Sequence, residues 1–140
     1  MNRRGTAALE AVIASGLTLM LLLVTVSLFT AVHVQWKEIS QAQLQRQWAA
    51  LAFTYLDADM AEAQAVSITP LELRVTLPDG QWVYRVSAEN SFYRGRGYDY
   101  YALAMVDSAR WWREGDLLWV ELSFPGGKYR CCWLAPGDRS

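Results

Sequence analysis

Between Ala11 and Trp36 the chain carries no formally charged side chain. A helix needs roughly 18 to 20 apolar residues to span a bilayer, and this run exceeds that length. One element is therefore expected before any other is considered: a membrane-crossing helix near the N-terminus. Arg3 and Arg4 precede it and Lys37 closes it. By the positive-inside tendency the N-terminus stays in the cytoplasm and the remainder goes outward. Glu10, at the head of the run, is the anomaly. A carboxylate near the centre of a membrane helix costs about 2.5 to 3.5 kcal/mol on insertion scales, and such groups normally have a partner.

Beyond the run, the chain has the composition of a soluble domain. Of the 13 Lys+Arg only Arg3 and Arg4 lie before Lys37, and of the 14 Asp+Glu only Glu10 does, so Lys37 to Ser140 carries 11 against 13. A portion at -2 offers no basic field for phosphates, and direct nucleic-acid binding is not expected. The length suits one modest domain plus the extra helix. The 2 cysteines, Cys131 and Cys132, are neighbours, which excludes a disulfide framework and a cysteine metal site.

From Lys37 to Val66 there is neither Gly nor Pro, and Ala, Gln and Leu dominate, so the helix is expected to continue. Leu44, Trp48, Leu51 and Tyr55 recur at helical spacing, as do Ala52, Leu56, Met60 and Ala63. A helix from Thr6 to Ala65 would be about 90 Å long. Beyond Pro70 the period becomes two. "LELRVTL" places Leu71, Leu73, Val75 and Leu77 on one face, "PDG" turns the chain, and "QWVYRV" returns with Trp82, Tyr84 and Val86. Further strands are expected at Tyr101 to Val106, from Leu117, and from Lys128. The fold class is α+β: a long N-terminal helix packed on a small antiparallel sheet.

A cleaved secretory signal does not suit the N-terminus, because its apolar core is normally about 7 to 15 residues and Phe29-Thr30-Ala31 is a poor cleavage pattern. A plain signal anchor explains the length but assigns no purpose to Glu10. In "RRGTAALE" a basic leader ends in Gly5, and Glu10 is the fifth residue after it. This resembles the type IV prepilin motif. The resemblance implies cleavage between Gly5 and Thr6 by a prepilin peptidase, methylation of Thr6 as the new N-terminus, and a role for Glu10 in meeting the N-terminal amine of an adjacent subunit. Thr6 where major pilins commonly carry Phe, and Ser27 where they often carry a helix-bending Pro, direct the resemblance toward minor pseudopilins. TadE-type pilin-like proteins share the leader.

The later segments extend the resemblance. Leu56, Asp59 and Ala63 at the helix end, then "LELRVTLPDGQWVYRV" and "FYRGRGYDYYALAMV", look like a ComGF-type competence pseudopilin, with part of the layout shared by J-type general secretion pseudopilins. The resemblance implies a leader over 1–5, a transmembrane and filament-core helix over 6–36, its amphipathic extension over 37–66 and a β-sheet domain over 67–140. It implies a non-enzymatic filament subunit in DNA uptake, with other pseudopilins, the peptidase, the membrane and an assembly platform protein as partners and no cofactor. The alternatives are a subunit of a type II secretion or type IV pilus system, or an unprocessed membrane-anchored binding module.

The remaining candidates have bland readings. Arg94 and Arg96, among Tyr93, Tyr98 and Tyr100, are expected on a surface turn, pairing with acids such as Asp99 or with a neighbouring subunit; two arginines do not make a single-strand platform. Asp57, Asp59 and Glu62 are expected on a solvated helix face. Trp111-Trp112 suits a partner contact or a packed loop. His33 has no ligand partners at metal spacing. Strand alternation puts Tyr129, Cys131 and Trp133 on one face and Cys132 on the other. A vicinal disulfide, an intersubunit disulfide and free thiols remain open for that pair. No nucleophile with a base, phosphate loop or metal cluster is apparent.

Overall fold

A computed structural model describes residues 3–136, with side chains from Thr6 onward; Met1 and Asn2 of the expected leader and the last four residues of the expected sheet domain lie outside the described residues. The chain forms one α-helix, α1 (Arg3–Glu62), and then eight strands, the α+β class that its periodicities predict. It divides into two units, the first ending at Ser40 and the second beginning at Gln41.

From Arg3 onward the first unit is helix, long and apolar enough to cross a membrane, with none of that apolar stretch buried inside the molecule. Its hydroxyls are satisfied locally. Ser15 donates to the Val12 carbonyl at 2.9 Å, Thr18 to Ala14 at 2.8 Å, Thr25 to Leu21 at 2.7 Å, Ser27 to Leu23 at 2.8 Å and Thr30 to Val26 at 2.6 Å. A hydroxyl without a partner in hydrocarbon is costly, and this back-bonding removes the cost at each of them.

In the second unit α1 stops at Glu62, before the Val66 that composition alone suggests. Ala65–Ile68 forms strand β1 instead, because Val66, opposite Val75, is more valuable in the core than in a helix. Strands β2 (Glu72–Leu77), β3 (Gly80–Val86), β4 (Ser91–Arg96) and β5 (Asp99–Met105) complete a five-stranded meander with β1. A second sheet holds β6 (Ser108–Glu114), β7 (Leu117–Phe124) and β8 (Gly127–Leu134). The single small sheet expected from sequence is thus two sheets, every pairing antiparallel and between consecutive strands.

The core gathers the hairpin face and one of the two expected helix stripes. Leu44, Leu51 and Tyr55 of the other stripe are exposed and Trp48 is half-buried, because the core packs against the side of the helix that carries Ala52 and Leu56. Leu73, Val75 and Leu77 are buried, as is Tyr84, while Leu71 falls before β2 and is exposed. From the helix come Ala49, Ala52, Leu56 and Met60, and from β7 come Leu118, Val120, Leu122 and Phe124. The expected strand at Tyr101 to Val106 is β5, with an irregularity that the period-two rule misses. Phe92 pairs Ala104 but Tyr93 pairs Ala102, so Leu103 is an extra residue, a bulge. The bulge turns two consecutive side chains, Leu103 and Ala104, into the core.

Candidate functional site

Gly5 and Thr6 both lie in the first turns of α1, and Glu10 follows on the same helix, exposed. Among the described residues the Glu10 carboxylate has no hydrogen-bond or ion-pair partner, in contrast to the back-bonded hydroxyls above it. It is an acceptor on an apolar, uncovered helix. Its available chemistry is to receive a cation or a hydrogen-bond donor.

The second unit holds the carboxylate that the sequence misplaces. Asp59, expected on a solvated face, is 4 % exposed. It accepts from the Tyr84 hydroxyl at 2.5 Å, from Arg94 Nε at 2.8 Å and from a terminal guanidinium nitrogen of Arg94 at 2.6 Å. Arg94 in turn lies 3.5 Å from the Trp82 ring centre and 5.6 Å from that of Tyr55. A fork meeting both carboxylate oxygens and stacked on an indole uses what Arg offers over Lys. Burial disfavours the Arg94 charge, but the adjacent Asp59 overcomes this and holds its pKa above the ordinary value. Burial first, and then the bond to Asp59, push the Tyr84 hydroxyl well above its ordinary range, so it stays a donor. The signal was present in the sequence: Asp59 falls three residues after Leu56 and four before Ala63, on the apolar stripe.

The "YRGRGY" stretch, expected as a surface turn, is mostly strand β4, and the turn is only Gly97-Tyr98. Gly95 sits in the strand because a Cβ there would lie 2.3 Å from the Tyr100 ring. Gly97, at φ 61, takes the left-handed first position of the two-residue hairpin loop. Arg96 pairs Asp79 at 2.6 Å, not Asp99. On the opposite face Arg85 lies over the rings of Tyr93 and Tyr100, at 4.9 and 5.9 Å.

Asp57 is also engaged, accepting from the Trp133 indole at 2.5 Å. Trp111 and Trp112 form strand instead of loop and point to opposite faces. Trp111 donates to the Thr69 carbonyl, tying β6 to the first sheet, and Trp112 stacks on Trp119 at 6.0 Å. Glu121, 2 % exposed, receives Arg130 at 2.5 Å and Lys128 at 3.3 Å, which hold its pKa below the ordinary value.

Cys131 is half-buried and Cys132 exposed, both as thiols, on the alternating faces that the sequence predicts. Their neighbours across β7 are Val120 and Trp119, a regular register in which adjacent sulfurs point apart. Burial raises the Cys131 pKa, so this sulfur is a poor nucleophile. His33 stacks on Phe29 one turn below it, with ring centres 6.5 Å apart. Comparison with known protein families, curated proteins and solved structures yields no match.

Proposed function

We propose that this chain is a minor pseudopilin, a non-enzymatic structural subunit of a competence pseudopilus for DNA uptake. A prepilin peptidase cuts between Gly5 and Thr6, Thr6 is methylated, and the subunit waits in the cell membrane with its N-terminus inside and its sheet domain outside. It then joins other pseudopilins, with an assembly platform protein, in a surface filament. The observation that carries this reading is Glu10: a carboxylate five residues after Gly5, on an exposed apolar helix, with no partner of its own among the described residues. The α+β architecture, a long N-terminal helix followed by antiparallel sheets, supports it.

Intact-mass analysis tests the reading directly. Co-expression with a prepilin peptidase should give a chain beginning at Thr6, and Gly5→Ala should block the cut. A full-length mass with and without the peptidase makes the chain an unprocessed anchor and ends the pseudopilin assignment. Genomic neighbours then separate competence from secretion: an assembly ATPase with competence genes marks the first, and an outer-membrane secretin the second.

A further inference from the structure

The upper end of the apolar run carries a feature that processing and assembly leave unused. His33, Trp36, Lys37 and Ser40 line one shallow hollow on the helix surface. Their spacing, three, four and seven residues on from His33, puts them on one face. Lys37 is the first charged side chain after Glu10. Trp36 is 71 % exposed, although it has a large apolar surface and an indole donor. The His33 ring is held parallel to that of Phe29, within 8°. The hollow thus joins an ammonium, an indole and an imidazole above a long uncharged helix whose hydroxyls are back-bonded. Aromatic and basic side chains in this position favour the level of lipid headgroups.

The helix rise fixes what this means for the other end. At about 1.5 Å per residue, the climb from Glu10 to Lys37 is about 40 Å. A bilayer is about 30 Å thick in its hydrocarbon and about 40 to 45 Å with its headgroups. When Lys37 lies among the headgroups of one leaflet, Glu10 therefore lies among those of the other. We infer that His33, Trp36, Lys37 and Ser40 form a site for the phosphodiester of a phospholipid headgroup, and that this site sets the depth of the helix so that Glu10 is held at the opposite headgroup layer. The occupant is a lipid because the hollow stands directly on the membrane-length apolar surface, and a phosphodiester matches the cation and N–H donors. The inference rests on the membrane-anchor part of the proposed function and not on cleavage or filament assembly.

Depth measurements on the full, unprocessed chain test it. Nitroxides are placed singly at Leu9, Ala11, Val34 and Ile39, with Cys131 and Cys132 changed to Ser, in vesicles of phosphatidylcholine and phosphatidylglycerol. Oxygen and nickel-chelate accessibility should put the Leu9 and Ile39 labels at headgroup depth on opposite sides. The double variant Trp36→Ala with Lys37→Glu should displace all four labels together, by about one helical turn or 5 Å. In vesicles of a neutral galactolipid, which lacks phosphate, the unmutated helix should already be displaced and the variant should add nothing. Identical depths in the two lipids, or depths unmoved by the double variant, overturn the site. Failure to insert overturns the membrane anchor itself. An uncut chain with the expected depths removes the pseudopilin reading and leaves the lipid site standing.

Discussion

Glu10 and Asp59 are carboxylates on the same helix, and their surroundings are opposite. Asp59 is enclosed, and Tyr84 and Arg94 supply three donor contacts to its oxygens from within the chain. Glu10 is exposed on an apolar surface and has no such contact among the described residues. Burial without partners is costly for either group. Asp59 is satisfied by folding and belongs to stability; Glu10 has no such contact among the described residues, and the proposed function assigns it to association.

The strongest way to break that division is to remove the Asp59 partner. Arg94→Ala leaves a buried carboxylate with only the Tyr84 hydroxyl, and losing one member of a buried pair typically costs about 3 to 5 kcal/mol. Chemical denaturation of the full chain in detergent, followed by near-UV circular dichroism, should show a loss of that size. Replacing the whole network, Asp59→Leu with Arg94→Met and Tyr84→Phe, should recover much of it, because apolar replacements of similar volume remove the desolvation cost and leave no buried hydroxyl unpaired. If the single variant is as stable as the parent, Asp59 is not a folding residue.

A smaller test takes away one donor and keeps the ion pair. Tyr84→Phe should cost about 1.5 to 3 kcal/mol, the range for a hydrogen bond to a charged group, while the Tyr84–Phe92 ring contact at 5.9 Å is retained. Smaller still is the effect of Glu121, whose cationic partners are more than half exposed. Its folded pKa is depressed, so its contribution is present above the unfolded carboxylate value of about 4.3 and disappears as pH falls through the folded value. Melting temperatures of the parent and Glu121→Gln should differ at neutral pH and converge under acid. A gap that widens under acid would contradict the depressed pKa.

Glu10→Ala should have the least effect on stability, with melting of the sheet unit unchanged within about 0.5 kcal/mol. Membrane insertion should also persist. Under the proposed function, crosslinking to pseudopilins should fall, and unchanged crosslinking would remove Glu10 from the proposed assembly role.

The sequence made the helix legible because absence of charge and helical spacing agree over a long stretch. The β2–β3 hairpin was equally plain, since alternation flanks a Pro-Asp-Gly turn. Three strands escaped for separate reasons. In β4, glycines and arginines look like loop chemistry, but Gly95 is there to admit the Tyr100 ring and Arg94 is there for Asp59. In β6, Trp111 and Trp112 satisfy opposite faces at once, which blurs the alternation. β1 is only four residues long and follows the Ala-rich helix end without a break, and only its pairing with β2 makes it a strand. The Asp59 network depends on side chains from residues far apart in the chain, so spacing along the helix located the buried position without identifying its partner. The position of Glu10 stood out for the opposite reason: it is a local feature, a charge at the start of an uncharged run.

Because each strand hydrogen-bonds to the strand before or after it in sequence, the sheets have low contact order. Loop-closure entropy is small for such neighbours, which favours fast folding. As the chain is synthesised N-terminus first, every newly emerged strand from β2 to β5, and again from β7 to β8, finds its template already in place. The sheet-bearing part can therefore fold vectorially, leaving few unpaired edges waiting for a distant partner.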